Sequence, residues 1–111
     1  MSMSMSMSKP YQIGKSAIEN TELVMRASSR DVWFHVNGVP SAHLIYYNPD
    51  EHSLDYLRKK GLIYKMAIAL KKSSKYHKIK NIEVIYDFVE NVTPLTKPGL
   101  VICESPKIMT V

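Results

Sequence analysis

The sequence lacks the features that mark several large functional classes. It has one cysteine, Cys103, so no disulfide can form within the 111-residue chain, and we expect an intracellular, cytoplasmic protein. No apolar run approaches the roughly 20 residues that cross a bilayer. There is also no P-loop, GxGxxG turn, nucleophile elbow or zinc knuckle. These absences lead us to expect a protein that is not an enzyme and holds no cofactor or metal.

Positive charge is what the sequence has in excess. Fifteen Lys and Arg against ten Asp and Glu give a net charge of +5. A small domain with this excess often binds a polyanion such as RNA, DNA or an anionic membrane, although many merely soluble proteins carry a similar charge. Hydrophobic residues make up 45% of the chain, which is enough for a folded core. The four Met-Ser repeats at 1–8 predict a disordered leader, which leaves one domain at 9–111.

Hydrophobic periodicity predicts an α+β domain with an antiparallel or mixed sheet and two helices. The predicted elements follow the order β-α-β-β-α-β-β-β, with strands at 9–15, 31–36, 41–47, 82–88, 100–104 and 107–111 and helices at 19–27 and 53–74. Asn37-Gly38 predicts a tight hairpin turn between the second and third strands. Asn20 or Thr21 is the predicted N-cap of the first helix, and Gly61 is a predicted interruption in the second.

The hairpin carries the first candidate site. Alternation along its first strand puts Trp33 and His35 on one face, and we expect His43 on the partner strand to lie close to His35. On such a surface Trp33 would stack on an unpaired base, while the histidines bond to phosphate or to base edges. The alternative is that Trp33 belongs to the core and the histidines cap polar groups of the sheet. For Trp33 we favour the core, because large aromatic residues in strands usually pack inside.

Basic side chains around the second helix form the other candidate site. The residues that we expect to contact phosphate are Lys71, Lys72, Lys75 and Lys78, with Lys15 and Arg30 as additions. Such contacts supply affinity without sequence choice and weaken with salt. The alternative is a solvated helix face, which is nearly as common for any single lysine. The cluster therefore carries more weight than its members.

Several short motifs occur in a fixed order along the chain. They are Gly14-Lys15 followed by Glu19-Asn20, then Asp31-Val-Trp-Phe-His35, Pro40-Ser-Ala-His43, a Lys-rich helix end with Ser74, Ile82-Glu-Val-Ile-Tyr86, and Lys97-Pro-Gly99 with Val101 and Lys107. From Tyr11 to Val111 the sequence resembles the NFACT-R domain, the RNA-binding module of the NFACT proteins of ribosome-associated quality control. The same domain occurs by itself in coiled-coil-bearing eukaryotic proteins. Asp87 stands where that family tends to have Thr, which predicts a more acidic sheet edge.

The resemblance implies a partner and adds weight to the histidines as functional residues. It implies binding of RNA, either tRNA or rRNA, on or near the ribosome, with DNA as a competing ligand. The other domains of full NFACT proteins are not in these residues, so tRNA recruitment and peptide tailing are not carried over.

Two other functions stay open at this point. The first is a protein-interaction module that docks on a ribosomal protein or another chain. The second is a metal-dependent RNA-processing enzyme that uses His35 and His43 as acid and base. Zinc needs at least three protein ligands, and no further candidate has a recognised ligand spacing.

Overall fold

Five strands of this chain form one sheet, and helices pack on both of its faces. The computed structural model describes residues 9–111, and the predicted Met-Ser leader at 1–8 lies outside that range. The elements are β1 (Tyr11–Ile13), α1 (Ala17–Arg26), β2 (Val32–Val36), β3 (Leu44–Tyr46), α2 (Leu54–Lys59), α3 (Leu62–Lys72), β4 (Glu83–Phe88), β5 (Thr93–Pro94), β6 (Val101–Ile102) and β7 (Lys107–Thr110), with a 3-10 turn at Val89–Asn91.

The sheet has the strand order β1-β3-β2-β4-β7, and each neighbouring pair is antiparallel. The short strands β5 and β6 form a separate two-stranded ribbon. The predicted single α+β domain is therefore confirmed. One detail differs from the predicted order: β5 is an additional strand. The basic helical region is split into α2 and α3 at Gly61, which has a φ of 76°, so the predicted interruption is confirmed. A left-handed residue ends one helix and starts the next, as the glycine suggested.

The predicted hairpin exists, but its turn is wider than Asn37-Gly38 suggested. In the register Phe34 lies opposite Leu44, and β3 begins there instead of at residue 41. A tight turn would need the Val36 N–H to pair across the loop, and that N–H donates instead to the Ser41 hydroxyl at 3.1 Å. Asn37 meanwhile pairs with β4 through its backbone N–H. The loop therefore bulges at 37–43, next to the histidines.

Helix α1 starts two residues earlier than predicted, at Ala17. Ser16 is its N-cap, and its hydroxyl accepts the Glu19 N–H at 3.1 Å. The Glu19 carboxylate in turn accepts the Lys15 N–H at 2.8 Å. This Ser-x-x-Glu pattern has the sequence of a capping box, with the return bond made to Lys15, the residue before the N-cap. It is a signal present in the sequence that outweighs the predicted caps Asn20 and Thr21. Those two residues lie inside the helix and serve other contacts.

Two apolar clusters lie on opposite faces of the sheet. On one face the stripe of α3 predicted from its spacing, including Ile63 and Leu70, packs on Phe34 and its neighbours. On the other face α1 packs through Leu23 and Val24 against Trp33 and strand β3. This division matches the predicted alternation along β2. It places the histidine side of the hairpin under α1.

Asp87 lies inside the structure and does not make a sheet edge more acidic, so that prediction is wrong. Its strand, β4, is flanked by β2 and β7, and Asp87 is 3% exposed. Its carboxylate accepts the Phe88 N–H at 2.8 Å and the Asn91 amide at 3.0 Å, and the Lys107 ammonium lies at 3.7 Å. These partners compensate for the burial of the charge.

Within residues 9–111, no helix is long and apolar enough to cross a membrane.

Candidate functional site

The two hairpin histidines face one another, as the sequence predicted. The ring centroids of His35 and His43 are 4.8 Å apart and nearly perpendicular. Trp33 stacks on His35 at 5.9 Å, and its Nε1 donates to His43 Nδ1 at 3.1 Å. Trp33 is 2% exposed, so it belongs to the core, as we favoured. Its indole therefore orients His43 and presents no stacking face to a base.

Both histidines are neutral near pH 7. Burial, with a smaller contribution from neighbouring His35, lowers the pKa of His43 to about 4, and a hydrogen bond to the Gly99 backbone opposes this shift. Burial also lowers the pKa of His35 below its ordinary value of 6.5. Since Nδ1 of His43 accepts from the indole, its proton is on Nε2. Neither ring offers a positive charge to phosphate. His43 is 2% exposed, and its ring already has hydrogen bonds to the Trp33 indole and the Gly99 backbone, so it is a structural residue. His35 is partly exposed, and its neutral ring suits uncharged polar groups such as a base edge.

A cavity of about 670 Å³ opens beside the histidine pair. Its lining comes from segments that are far apart in sequence: the loop before α1, strand β2, the hairpin loop, and the loop and strand around β6. These segments contain the motifs that appear in order along the chain. Gly14-Lys15, His35, His43 and Gly99 all line this one cavity. The fold therefore gathers most of the quoted motifs at one place.

Asn20 is a site residue that the sequence analysis missed as such. It is 7% exposed, and its Oδ1 accepts the His43 backbone N–H at 3.2 Å. A Cβ on Gly14 would collide with that same oxygen, so only glycine permits this approach. The available signal was a polar residue on the helix face that also carries Leu23 and Val24. Asn20 thus connects the Gly14-Lys15 loop to the histidine strand.

The predicted phosphate-binding residues divide into two groups. Lys15, Lys72, Lys75 and Lys78 are exposed, and within residues 9–111 none has a carboxylate within 4.0 Å. Lys71 is instead half-buried, and its ammonium donates to the backbone oxygen of Val111 at 3.0 Å. Lys71 is therefore held in a structural contact.

Arg30 also lies apart from the exposed lysines. Its guanidinium pairs with Glu90 at 3.2 Å and covers the Phe88 ring at 3.8 Å. It precedes β2, whereas His35 lies near the other end of that strand. The structure therefore does not bring Arg30 to the histidine site.

The exposed lysines at the end of α3 and in the loop that follows it lie on the opposite face of the sheet from the two histidines. The two surfaces are adjacent at the hairpin loop. After α3 the chain approaches the hairpin loop, where the Tyr76 hydroxyl lies 3.4 Å from the Pro40 carbonyl oxygen. A second cavity of about 750 Å³ is lined by Lys9, Lys15 and, at the end of α3, Ser73. Lys15 lines both cavities. The surface is thus continuous from the end of α3 to the histidine cavity.

Metal binding and thiol chemistry both depend on how the His, Cys, Asp and Glu side chains of the described residues are arranged. Among residues 9–111 no three His, Cys, Asp or Glu side chains are grouped so that they could hold a metal ion. Cys103 lines the histidine cavity and is half-buried. Burial, and then the neighbouring Asp87 carboxylate, raise its pKa to about 11. The thiol therefore stays protonated near neutral pH.

Comparison with known proteins defines the fold more sharply than the function. No profile of a known protein family matches the chain. The zebrafish (Danio rerio) coiled-coil domain-containing protein 25 is 32% identical over 81 residues, which are 71% of this chain and 39% of that protein. The structure of the C-terminal part of the fibronectin/fibrinogen-binding protein from Streptococcus suis matches 91% of this chain and 39% of that one, with a TM-score of 0.75 and 22% identity. The chain thus spans about two fifths of each protein, and the structural match shows a shared fold.

Proposed function

We propose that this protein is an RNA-binding domain of the NFACT-R type that holds RNA mainly through lysine contacts to phosphates. The observation that carries the proposal is how unevenly charge is distributed. Residues 56–82 contain nine Lys and Arg and no acid, so the other residues have six basic and ten acidic side chains. A surface of this kind binds polyanions by releasing their counterions.

The contrast with α2 separates a binding surface from an ordinary charged helix. On α2 Lys59 pairs with Asp55 at 3.2 Å, the i,i+4 arrangement that solvated helices commonly use. Helix α3 and its exit loop have no such partner within residues 9–111, and Lys72, Lys75 and Lys78 remain exposed. Mutual repulsion among unpaired lysines costs stability, which a bound polyanion would offset.

RNA is placed before DNA on the basis of the NFACT-R resemblance, whose most specific motifs meet at the histidine cavity. That assignment depends on the motifs, because the name of the zebrafish relative states only a coiled coil. The partners that follow from it are tRNA or rRNA in the cytoplasm, at or near the ribosome.

The test is fluorescence-anisotropy binding to labelled tRNA, single-stranded RNA and duplex DNA across a salt series. Each phosphate contact contributes about 0.7–0.9 to the slope of log K against log salt, so the triple variant Lys72→Gln/Lys75→Gln/Lys78→Gln should lower the slope by about two to three. The matched triple arginine variant keeps the charge and should bind like the parent. Absence of RNA binding near physiological salt would refute the proposal and give first place to a protein-interaction module.

A further inference from the structure

The histidine cavity combines one partly exposed imidazole, apolar walls and a single cation. The imidazole is that of His35, with the buried rings of Trp33 and His43 behind it, and Val101 and Leu100 are among the apolar residues. Lys15 is the one Lys or Arg that lines it. Binding sites for small planar ligands have this composition, with a mostly apolar wall and a few polar groups that fix orientation.

One buried polar group in the cavity wall has no hydrogen-bond partner among residues 9–111. Asn20 uses its Oδ1 to accept from the His43 backbone, but its Nδ2 donates to no atom within residues 9–111. The partly exposed His35 ring also lines the cavity, and it has a hydrogen bond to the Val36 backbone but none to another side chain of the described residues. A buried amide donor without an acceptor is costly, and a ligand that supplies an acceptor removes that cost.

We propose that this cavity binds one unpaired nucleotide of the RNA, with its base against His35 and Asn20 and its phosphate at Lys15. The inference rests on the proposed RNA-binding function and names the form of RNA that the site takes. A base in a duplex is stacked and paired, so its edge cannot enter a cavity of about 670 Å³. The ligand is therefore a looped-out base, a bulge or a strand end.

The RNA nucleotides that flank the inserted one can lie along the surface that joins the two cavities. Lys15 lines the histidine cavity and the second cavity, and the second cavity also reaches Lys9 and the end of α3 at Ser73. Phosphates that flank the inserted nucleotide would therefore pass along exposed lysines toward Lys72. The histidine cavity chooses an unpaired nucleotide, and the lysine surface supplies affinity for the chain around it.

The first experiment is an NMR titration of the whole ¹⁵N-labelled protein with AMP, GMP, CMP and UMP. The chain has one tryptophan, so its indole N–H gives a single signal, and that group donates to His43 in the cavity wall. We expect a saturable shift of this signal with at least one nucleotide and no shift with inorganic phosphate alone. No shift with any nucleotide up to about 10 mM, a concentration that detects even millimolar affinity, overturns the proposal.

Single substitutions test separately where the phosphate and the base of the nucleotide bind. Lys15→Gln should weaken AMP binding about fivefold while leaving adenosine unchanged, and Lys65→Gln, an exposed lysine on α3, should change neither. His35→Ala should weaken AMP and adenosine alike, with His52→Ala as its control. If Lys15→Gln lowers adenosine and AMP binding equally, the placement of the phosphate is wrong. The Lys15→Gln comparison stays informative even if His35→Ala does not fold, because Lys15 is exposed and its substitution leaves the core unchanged.

The outcomes separate this inference from the RNA-binding proposal. Salt-dependent RNA binding without any mononucleotide shift would leave the lysine surface in place and refute the nucleotide cavity. Mononucleotide shifts without RNA binding would refute the lysine surface and keep the cavity. With both intact, a single-stranded RNA should displace AMP from the Trp33 signal, and a blunt duplex of equal length should not.

Discussion

Acidification should destabilise this protein through His43, because its imidazole is buried in the neutral form. The pKa of His43 is about 4 in the folded protein, against 6.5 for an ordinary histidine. The unfolded chain therefore takes up a proton as the pH falls below about 6.5, while the folded chain does so only near pH 4. The stabilising contribution is complete above the unfolded pKa and is lost progressively as the pH falls toward 4.

The size of the effect follows from the two pKa values. Between pH 7 and pH 5 the His43 contribution falls by about 2 kcal/mol, since the unfolded state is almost fully protonated at pH 5 and the folded state is not. His35, whose pKa burial also lowers, adds a loss of the same sign. Urea unfolding at pH 7, 6 and 5, followed by the fluorescence of Trp33, measures the free energy of unfolding directly.

A variant that cannot take up a proton at position 43 isolates the His43 contribution to the pH dependence of the free energy of unfolding. His43→Asn keeps an oxygen that can accept from the Trp33 indole but cannot take up a proton in this range. We expect it to be less stable than the parent at pH 7, because the smaller side chain leaves space, yet to lose about 2 kcal/mol less between pH 7 and pH 5. Equal losses in His43→Asn and the parent would show that the reasoning is wrong.

Three further predictions concern single residues. Gly14→Ala should lower the free energy of unfolding by about 1–3 kcal/mol in urea titrations, because its Cβ collides with Asn20, and an unchanged midpoint would contradict that packing. Cys103 should react with a thiol reagent at pH 8 far more slowly in the native protein than in urea, since its native pKa is about 11; equal rates would rule out the raised pKa. Arg30→Gln should leave RNA affinity in the anisotropy assay unchanged, while Lys75→Gln lowers it; the reverse order would place the interface beside Glu90.

Local patterns predicted much of the fold, because they report which face of an element is buried. The alternation in β2 and the apolar stripe of α3 each identified the right buried residues. The start of α1 was missed because Ser16 and Asn20 are both good caps by residue type. What decides between them is that Asn20 is needed for contacts with Gly14 and His43, and no local window contains those contacts.

The candidate site was also predictable from the sequence only in part. The approach of His35 to His43 was predictable because one hairpin carries both residues. The lowered pKa values were not, since they come from burial beneath segments distant in sequence. The roles of Lys71 and Arg30 were also hidden, because their partners are 40 and 60 positions away in the chain. Spacing identifies candidate side chains, but only the folded chain shows which of them are already occupied.

The uneven charge of the chain also has a consequence for how the molecules meet one another. Residues 56–82 carry nine positive charges, and the remainder of the chain has four more acids than bases, so positive and negative charge are concentrated in different parts of each molecule. In dilute buffer the electric field extends about 30 Å, and the basic end of one molecule attracts the acidic remainder of the next. At physiological salt this range shrinks to about 8 Å, and the attraction fades. The purified protein should therefore cluster reversibly in low-salt buffer, and added salt should disperse it.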